Sequence, residues 1–282
     1  MPPGGLGTIL APMSNERIGF IGAGNMASAL LRGWLRAGTV TKEQVRISEV
    51  DRSKREAVAS AHGVSAAASN AELCGWASVL LLAVKPQSVP AVLRECAPAL
   101  QPSTLLISVA AGVRTSTIAD GLPAGVRVVR TMPNTPALVG AGATALCAGP
   151  GATTSDLDFT RSLFDAVGRS VVVDETQLDA VTGLSGSGPA YVMLVIEALA
   201  DGGVAAGLSR ETALLLATQT VLGSAQLLLE SGDHPAVWKD RVMSPAGTTA
   251  AGLAALEAGA LRATLAQAVQ HAAQRSRELG AR

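Results

Sequence analysis

The chain has 282 residues, enough for two domains, and 48% of them are hydrophobic, enough for a sizeable core. Its 22 basic and 22 acidic residues cancel, which removes the attraction that nucleic-acid and anionic-membrane binders depend on, and 2% aromatics leave no stacking platform for single strands. Cys74, Cys96 and Cys147 show no metal-ligand spacing and cannot all pair, so they read as small buried hydrophobes in a reducing, cytoplasmic compartment, and no metal site is expected. Residues 1–15, with Pro2, Pro3, Gly4, Gly5 and Pro12, lack the basic start and apolar core of a signal peptide and are expected to be a disordered leader. No run reaches the roughly 18 to 20 uninterrupted apolar residues of a membrane span. The nearest, 213–229, is broken by Thr218, Gln219, Thr220, Ser224 and Gln226 and reads as a buried helix.

The stretch Arg17-Ile18-Gly19-Phe20-Ile21-Gly22-Ala23-Gly24-Asn25-Met26-Ala27 reads as a short apolar strand, a glycine turn and the start of a helix that stops at Gly38. Gly22 and Gly24 supply G-x-G, and Ala27 takes the third small position. Bare glycine lets the backbone approach a pyrophosphate, which then sits on the unpaired N–H groups of the helix N-terminus. A strand before and a helix after favour dinucleotide binding over an empty tight turn. Residues 45–50 are the second strand, 51–54 its loop, and a helix follows to Ala61 with Gly63 as its stop. The end of such a strand faces the adenosine ribose. An acid there accepts from the 2′-hydroxyl of NAD, whereas Arg, Lys and Ser suit the 2′-phosphate of NADP. Glu49 and Asp51, then Arg52, Ser53 and Lys54, offer both, and the choice stays open.

Residues 79–84 form a continuous apolar run, as in a strand buried on both faces of a parallel sheet, and Lys85-Pro86 ends it. Ser88 and Pro90 open another helix. Residues 105–112 repeat the apolar strand followed by small residues, whose size leaves room for a flat ring such as a nicotinamide. Residues 126–130 are a further strand, Thr131-Met132-Pro133-Asn134-Thr135-Pro136 a stiff turn, and 143–147 and 170–173 short strands. This alternation makes residues 16–175 an α/β domain with a doubly wound (Rossmann-type) parallel sheet.

After Asp174 strand signals stop, and residues 176–282 read as an all-α domain. Ser187 or Gly188 caps a helix with Pro189 in its first turn; residues 191–200 are apolar nearly all round, so that helix needs cover on every side. Ser209 caps a second helix that runs to Glu230. So few helices cannot cover each other, and a homo-oligomer with interleaved helices is the expected solution. Thr248 caps the first of a last pair of helices, 250–258 and 260–279. The N–H groups of Gly247, Thr248 and Thr249 there make an anion site suited to a carboxylate. His62, His234 and His271 lie in no motif and read as structural or solvated.

The motifs 19–27, Ala83-Val84-Lys85-Pro86-Gln87, 130–136, 179–191 and 244–249, in this order, resemble the pyrroline-5-carboxylate reductase family, from about Glu16 to the C-terminus. Ala246 departs from the family, which usually has a second glycine there. The resemblance implies reduction of 1-pyrroline-5-carboxylate to L-proline with NADPH, or with NADH. Ile21, Gly22, Ala23, Gly24, Asn25 and Met26 would bind the pyrophosphate, and Glu49 or Asp51 with Arg52 and Ser53 would meet the adenosine ribose. Asn70, Ala83, Val84, Lys85 and Pro86 would line the cofactor, and Val109, Ala110 and Ala111 would flank the nicotinamide. Gly247, Thr248 and Thr249 would hold the substrate carboxylate and ring nitrogen, with Glu175 and Ser187 near that pocket. The Thr249 hydroxyl is the expected catalytic donor or acceptor at the ring nitrogen. The family also implies homodimers, often assembled further into decamers; the balanced charge and the lack of a spanning run point to no nucleic-acid or membrane partner. Two rival readings are an NADP-linked hydroxy-acid dehydrogenase of similar layout and a non-catalytic nucleotide-binding regulator. The first would place a lysine on the helix after the G-S-G turn, where residues 191–200 carry only Glu197 as a charged group.

Overall fold

The computed structural model describes residues 16–280; the leader expected over residues 1–15 lies outside them. Strand β1 (Ile18–Ile21) passes through the glycine turn into α1 (Asn25–Arg36). There follow β2 (Val45–Ser48), α2 (Arg52–His62), β3 (Ser65–Ala66), α3 (Asn70–Trp76), β4 (Val79–Leu82), α4 (Val89–Cys96) and β5 (Leu105–Ser108). Next come α5 (Thr115–Asp120), β6 (Arg127–Met132), β7 (Gly142–Ala148), α6 (Thr154–Asp165) and β8 (Gly168–Val172). All these strands share one sheet in the order β3-β2-β1-β4-β5-β6-β7-β8. The chain steps outward from β1 to β3, then returns to place β4 on the other side of β1. The order therefore reverses between β1 and β4, where a doubly wound sheet opens a crevice at its carboxyl edge. The register sets Ile21 beside Ser48 on one side and Leu82 on the other, so three strand ends converge at that point.

The sheet departs from the expected all-parallel form at one pair. β7 runs antiparallel to β6, with Val129 opposite Ala148 and Met132 opposite Ala145. The connection holds one short 3₁₀ turn, Thr135–Val139, ended by the left-handed Gly140 (φ 78°). Parallel neighbours need a crossover of a dozen or more residues, and this link is too short for one. A second difference lies after β2. The Asp51 side chain accepts the Lys54 N–H at 3.1 Å and caps α2, so Arg52, Ser53 and Lys54 occupy its first turn rather than a loop. The two-residue β3 and the short α3 and α5 were not anticipated, being too brief to impose a period on the sequence.

β1, β4 and β5 are buried along their whole length, as strands covered on both faces must be. On one face Trp34 of α1 packs between Phe20 (centroids 5.3 Å apart) and Phe164 (6.0 Å, edge-on). All three are fully buried, and the Trp34 Nε1 has no hydrogen-bond partner. The three cysteines are free and buried, as expected of small hydrophobes.

Packing divides the described chain into two compact units, residues 16–186 with 272–280 and residues 187–271. Strands end at Val172, close to the sequence-based boundary at 175/176, but the packing boundary falls later and the chain's last turns rejoin the first unit. Within the first unit α7 (Leu178–Val181) leads into a π-helical turn, Thr182–Gly186. Ser276 donates to Asp179 at 2.6 Å, and a Cβ added to Gly280 would lie 2.7 Å from the Gly112 carbonyl oxygen, so two glycine backbones meet there.

The second unit is helical: α8 (Gly188–Ala205), α9 (Arg210–Ser231), α10 (Pro235–Val242), α11 (Thr248–Ala258) and α12 (Leu261–Gly280), the last crossing the packing boundary. Ser209 caps α9 through the Thr212 N–H, and Gly232 ends it in the left-handed region, as the sequence indicates. Small residues bring α8 and α9 together: Ala200, Ala213 and Ala217 are buried between them. The outer faces are bare. Met193, Leu194 and Leu215 are 63%, 66% and 67% exposed, so the apolar helix expected to need cover on every side is covered only along its α9 side among the described residues.

Removing the Trp34 ring empties the centre of the first unit, and Trp34→Ala should lower unfolding stability by about 3–5 kcal/mol. Trp34→Phe should cost much less, because the atoms lost include a buried N–H that is already unpaired. Urea denaturation of the two variants checks the difference.

Candidate active site

The glycine turn is shaped by what it cannot hold. Gly22 has φ 94°, and a Cβ there would lie 2.8 Å from the Ala83 carbonyl oxygen. Its N–H donates to Ser48 at 2.8 Å, which ties the turn to the end of β2. At Gly24, the N-cap of α1, a Cβ would meet no atom within 4 Å, so this backbone faces open space. No side chain caps α1, and its first intrahelical bond is from Ser28 to the Gly24 carbonyl. The N–H groups of Asn25, Met26 and Ala27 therefore have no helical partner, which suits a pyrophosphate. A cleft of about 330 Å³ opens here, at the β1/β4 reversal. Of the expected residues, Ile21, Gly22, Gly24, Glu49, Asn70, Ala83, Val84 and Lys85 line it. Ala23, Asn25, Met26, Asp51, Arg52, Ser53 and Pro86 stand beside it in sequence without lining it.

Glu49 reaches back from the end of β2. Its Oε2 accepts the Ala23 N–H at 3.1 Å and pairs with Lys54 Nζ at 3.1 Å, and its Oε1 accepts the Asp51 N–H at 3.4 Å. Burial pushes its carboxyl up, but these three donors outweigh burial and hold it below the usual carboxylate range. Beneath it, the Ser48 hydroxyl donates to Asn70 Oδ1 at 2.6 Å, and Asn70 Nδ2 donates to Glu95 at 2.8 Å. Ser48 lines the cleft as well and was not anticipated; its one signal was a polar residue at the end of an apolar strand. Lys85 is exposed, outside β4 and before the 3₁₀ turn Pro86–Ser88, as a wall residue would be.

At the end of β5, Ala110 is buried, Ala111 is exposed and Val109 lies between. These residues keep the carboxyl edge of β5 free of bulky side chains. Glu175 is engaged elsewhere. It accepts from the Thr115 N–H and hydroxyl, both at 2.7 Å, and from Arg130 Nη1 at 3.1 Å. Burial raises its carboxyl, and these donors overcome that and hold it low. With both oxygens bonded and Arg130 buried, Glu175 ties α5 to β6, and it also lines a cavity of about 150 Å³ with Gly112, Arg130 and Asp179. Nearby Cys147 is pushed up to about 11, first by burial, so it stays a neutral thiol.

In the second unit the cap of α11 falls one residue earlier than expected: Gly247 is its N-cap and Thr248 its first residue. The Gly247 N–H donates to Ser244 at 3.0 Å, and the first intrahelical bond runs from Ala251 to Gly247. The N–H groups without helical partners are therefore those of Thr248, Thr249 and Ala250, one position along from the expected set. Ala246 just before them is left-handed, φ 55°, a conformation an alanine adopts at a cost of roughly 1–2 kcal/mol. Ser187 is the N-cap residue of α8 but makes no side-chain capping bond. His234 caps α10 through Nδ1, accepting the Ala236 N–H at 3.2 Å. Among the described residues no group of acids, histidines and cysteines is placed to hold a metal ion.

Residues 175–279 match the family model described as pyrroline-5-carboxylate reductase dimerisation, and residues 17–112 match the one described as NADP oxidoreductase, coenzyme F420-dependent. A pyrroline-5-carboxylate reductase of Methanosarcina acetivorans is 47% identical over 95% of this chain and 99% of its own length. The chain belongs to the pyrroline-5-carboxylate reductase family. A relative from Arabidopsis thaliana bearing the same name is 46% identical over 95% of this chain and 97% of its own. The solved structure of a pyrroline-5-carboxylate reductase from Coxiella burnetii superimposes with a TM-score of 0.89 at 36% identity, covering 94% of this chain and 99% of that one. Membership accounts for the bare helices. Residues 175–205 and 210–231 are long and apolar enough to cross a membrane, yet both lie in the region that matches the family's dimerisation segment.

Because the Glu175 carboxyl sits below its ordinary value, its contribution to stability is present above about pH 4, the unfolded value, and is lost as pH falls through the folded one. Glu175→Gln should cost about 1–2 kcal/mol at neutral pH and flatten the acid-side decline, as measured by urea midpoints across that range.

Proposed function

We propose that this protein reduces 1-pyrroline-5-carboxylate to L-proline with hydride from NAD(P)H, in the cytosol. The observation that carries the reading is the open glycine turn at the β1/β4 reversal, in a chain that aligns with reductases of that name over 95% of its length. NADP is bound in the Plasmodium falciparum pyrroline carboxylate reductase structure, 34% identical and with a TM-score of 0.85. The cleft has the matching features: a glycine cradle without side chains, free helix N–H groups and a polar wall at the end of β2.

The bound dinucleotide would supply a hydride from nicotinamide C4. The chain's own part is then positional. Val109, Ala110 and Ala111 leave a flat space for the ring, and the free N–H groups at the start of α11 hold the substrate carboxylate. Fixing the carboxylate presents one face of the imine carbon for transfer. The imine nitrogen needs a proton or a hydrogen bond, not a strong protein acid. The Thr249 hydroxyl takes that role, with Thr248 and Ser187 beside the substrate. The hydroxy-acid dehydrogenase reading would call for an acid–base lysine on α8, which has none.

Purified protein mixed with NADPH or NADH and 1-pyrroline-5-carboxylate should consume the nicotinamide absorbance and yield L-proline. No consumption with either dinucleotide would refute the proposal and favour a non-catalytic regulator. Thr249→Ala should lower kcat/KM for the imine by roughly 10²–10⁴-fold while leaving dinucleotide affinity unchanged. Equal kcat and KM in that variant would remove Thr249 from the mechanism.

We further propose a homodimer built on the apolar faces of α8 and α9, with dimers associating into a decamer. Leu215→Asp puts a charge into that contact and should yield smaller species by light scattering, with a loss of stability above about 2 kcal/mol.

A further inference from the structure

Among the described residues Glu49 is the one carboxylate lining the cleft, and its surroundings say which ribose it accepts. Its side chain is 13% exposed and sits between the Ala23 N–H of the glycine turn and the Lys54 ammonium of α2. Oε2 is filled by those two donors. Oε1 has only the long contact to the Asp51 N–H, 3.4 Å, and so keeps acceptor capacity toward the cleft. Two of the nearby cations are already engaged. Lys54 is paired with Glu49 itself, and Arg55 Nη1 donates to the backbone carbonyls of Glu49 and Ala68 at 3.1 and 3.4 Å. Asp51 spends its side chain on the helix cap. Lys54 and the exposed Lys85 line the cleft, and Arg52, beside it in sequence, is 81% exposed, its pair with Glu56 a surface contact.

We infer that Glu49 sets the dinucleotide preference of the cleft, taking the ribose 2′-hydroxyl of NADH in a hydrogen bond and penalising the 2′-phosphate of NADPH. The inference rests on the proposed nicotinamide chemistry and adds to it a direction and a residue. A 2′-phosphate carries close to two negative charges and would be set against a carboxylate that stays ionised at neutral pH. To be met by a cation it must draw Lys54 away from Glu49, which leaves Glu49 with two backbone donors only. A 2′-hydroxyl requires neither change; it donates to Oε1 and leaves the Ala23 and Lys54 bonds in place. Arg52, on the first turn of α2, is the group that supports whatever NADPH binding the protein shows.

The test is titration of the full-length protein with NADH and with NADPH, read by the change in dinucleotide fluorescence without substrate, so that binding is separated from turnover. Wild-type protein should bind NADH more tightly. Glu49→Gln, which keeps an acceptor for the Ala23 N–H and so preserves the turn, and Glu49→Ser should each weaken NADH and strengthen NADPH. The ratio of dissociation constants should move by about tenfold or more. Arg52→Ala should weaken NADPH and leave NADH unchanged. If both dinucleotides bind wild-type protein and neither Glu49 variant moves the ratio, the inference is wrong and the proposed reduction stands. If neither dinucleotide binds wild-type protein, both readings fall together.

Discussion

Everything in the first unit answers to a shortage of space around position 22. The β1 strand is central, so its end is flanked by β2 and β4 at once, and the chain must turn there under the Ala83 carbonyl. Only a residue without Cβ fits, and only one tolerant of φ 94° can make the turn. Once that turn is made, α1 starts with its dipole pointing at the reversal point, and Trp34, three turns along, comes down between Phe20 and Phe164. The binding surface and the heart of the core are thus two ends of the same helix.

Two carboxylates in this unit are kept ionised in the same way. Glu49 and Glu175 are partly buried, and each is held down mainly by backbone N–H groups and a hydroxyl or ammonium rather than by desolvated arginine pairs alone. Charge-assisted bonds to backbone N–H groups fix geometry strongly, since those donors cannot swing away. The device serves different ends. At Glu49 it aims an acceptor at the cleft. At Glu175 it closes off a structural junction, with the buried Arg130 guanidinium as its counter-ion.

The N-terminal architecture was legible because its signals are steric and periodic. Apolar runs at β1, β4 and β5 can only be strands covered on two faces, and the G-x-G turn with Ala27 states what the backbone must do. The antiparallel β7 was not legible, since strand direction is decided by the length of the connection rather than by the strand's own residues. The first turn of α2 was misread as a loop because Arg52, Ser53 and Lys54 are polar and exposed; the Asp51 cap that makes them helical is a single side-chain bond. At α11 the error was one residue, Gly247 in place of Thr248 as cap, which moved the free N–H groups by one position. The hydrogen bonds of Glu175 could not be read, because its partners Thr115 and Arg130 lie 60 and 45 residues away in the chain.

The contact between Gly112 and Gly280 has a practical corollary for anyone dissecting this protein. Residues 187–271 are, in connectivity, an insert: the polypeptide leaves the nucleotide-binding unit at Gly186 and comes back to it at Ala272. A simple truncation after Gly186 therefore does not liberate an intact first unit, because it also strips away the returning segment and with it the Ser276 hydroxyl that satisfies Asp179. An autonomous version would have to be spliced, with Gly186 joined by a linker to Ala272, and the excised portion would need its own fusion point and a second copy of itself to shield its leucines.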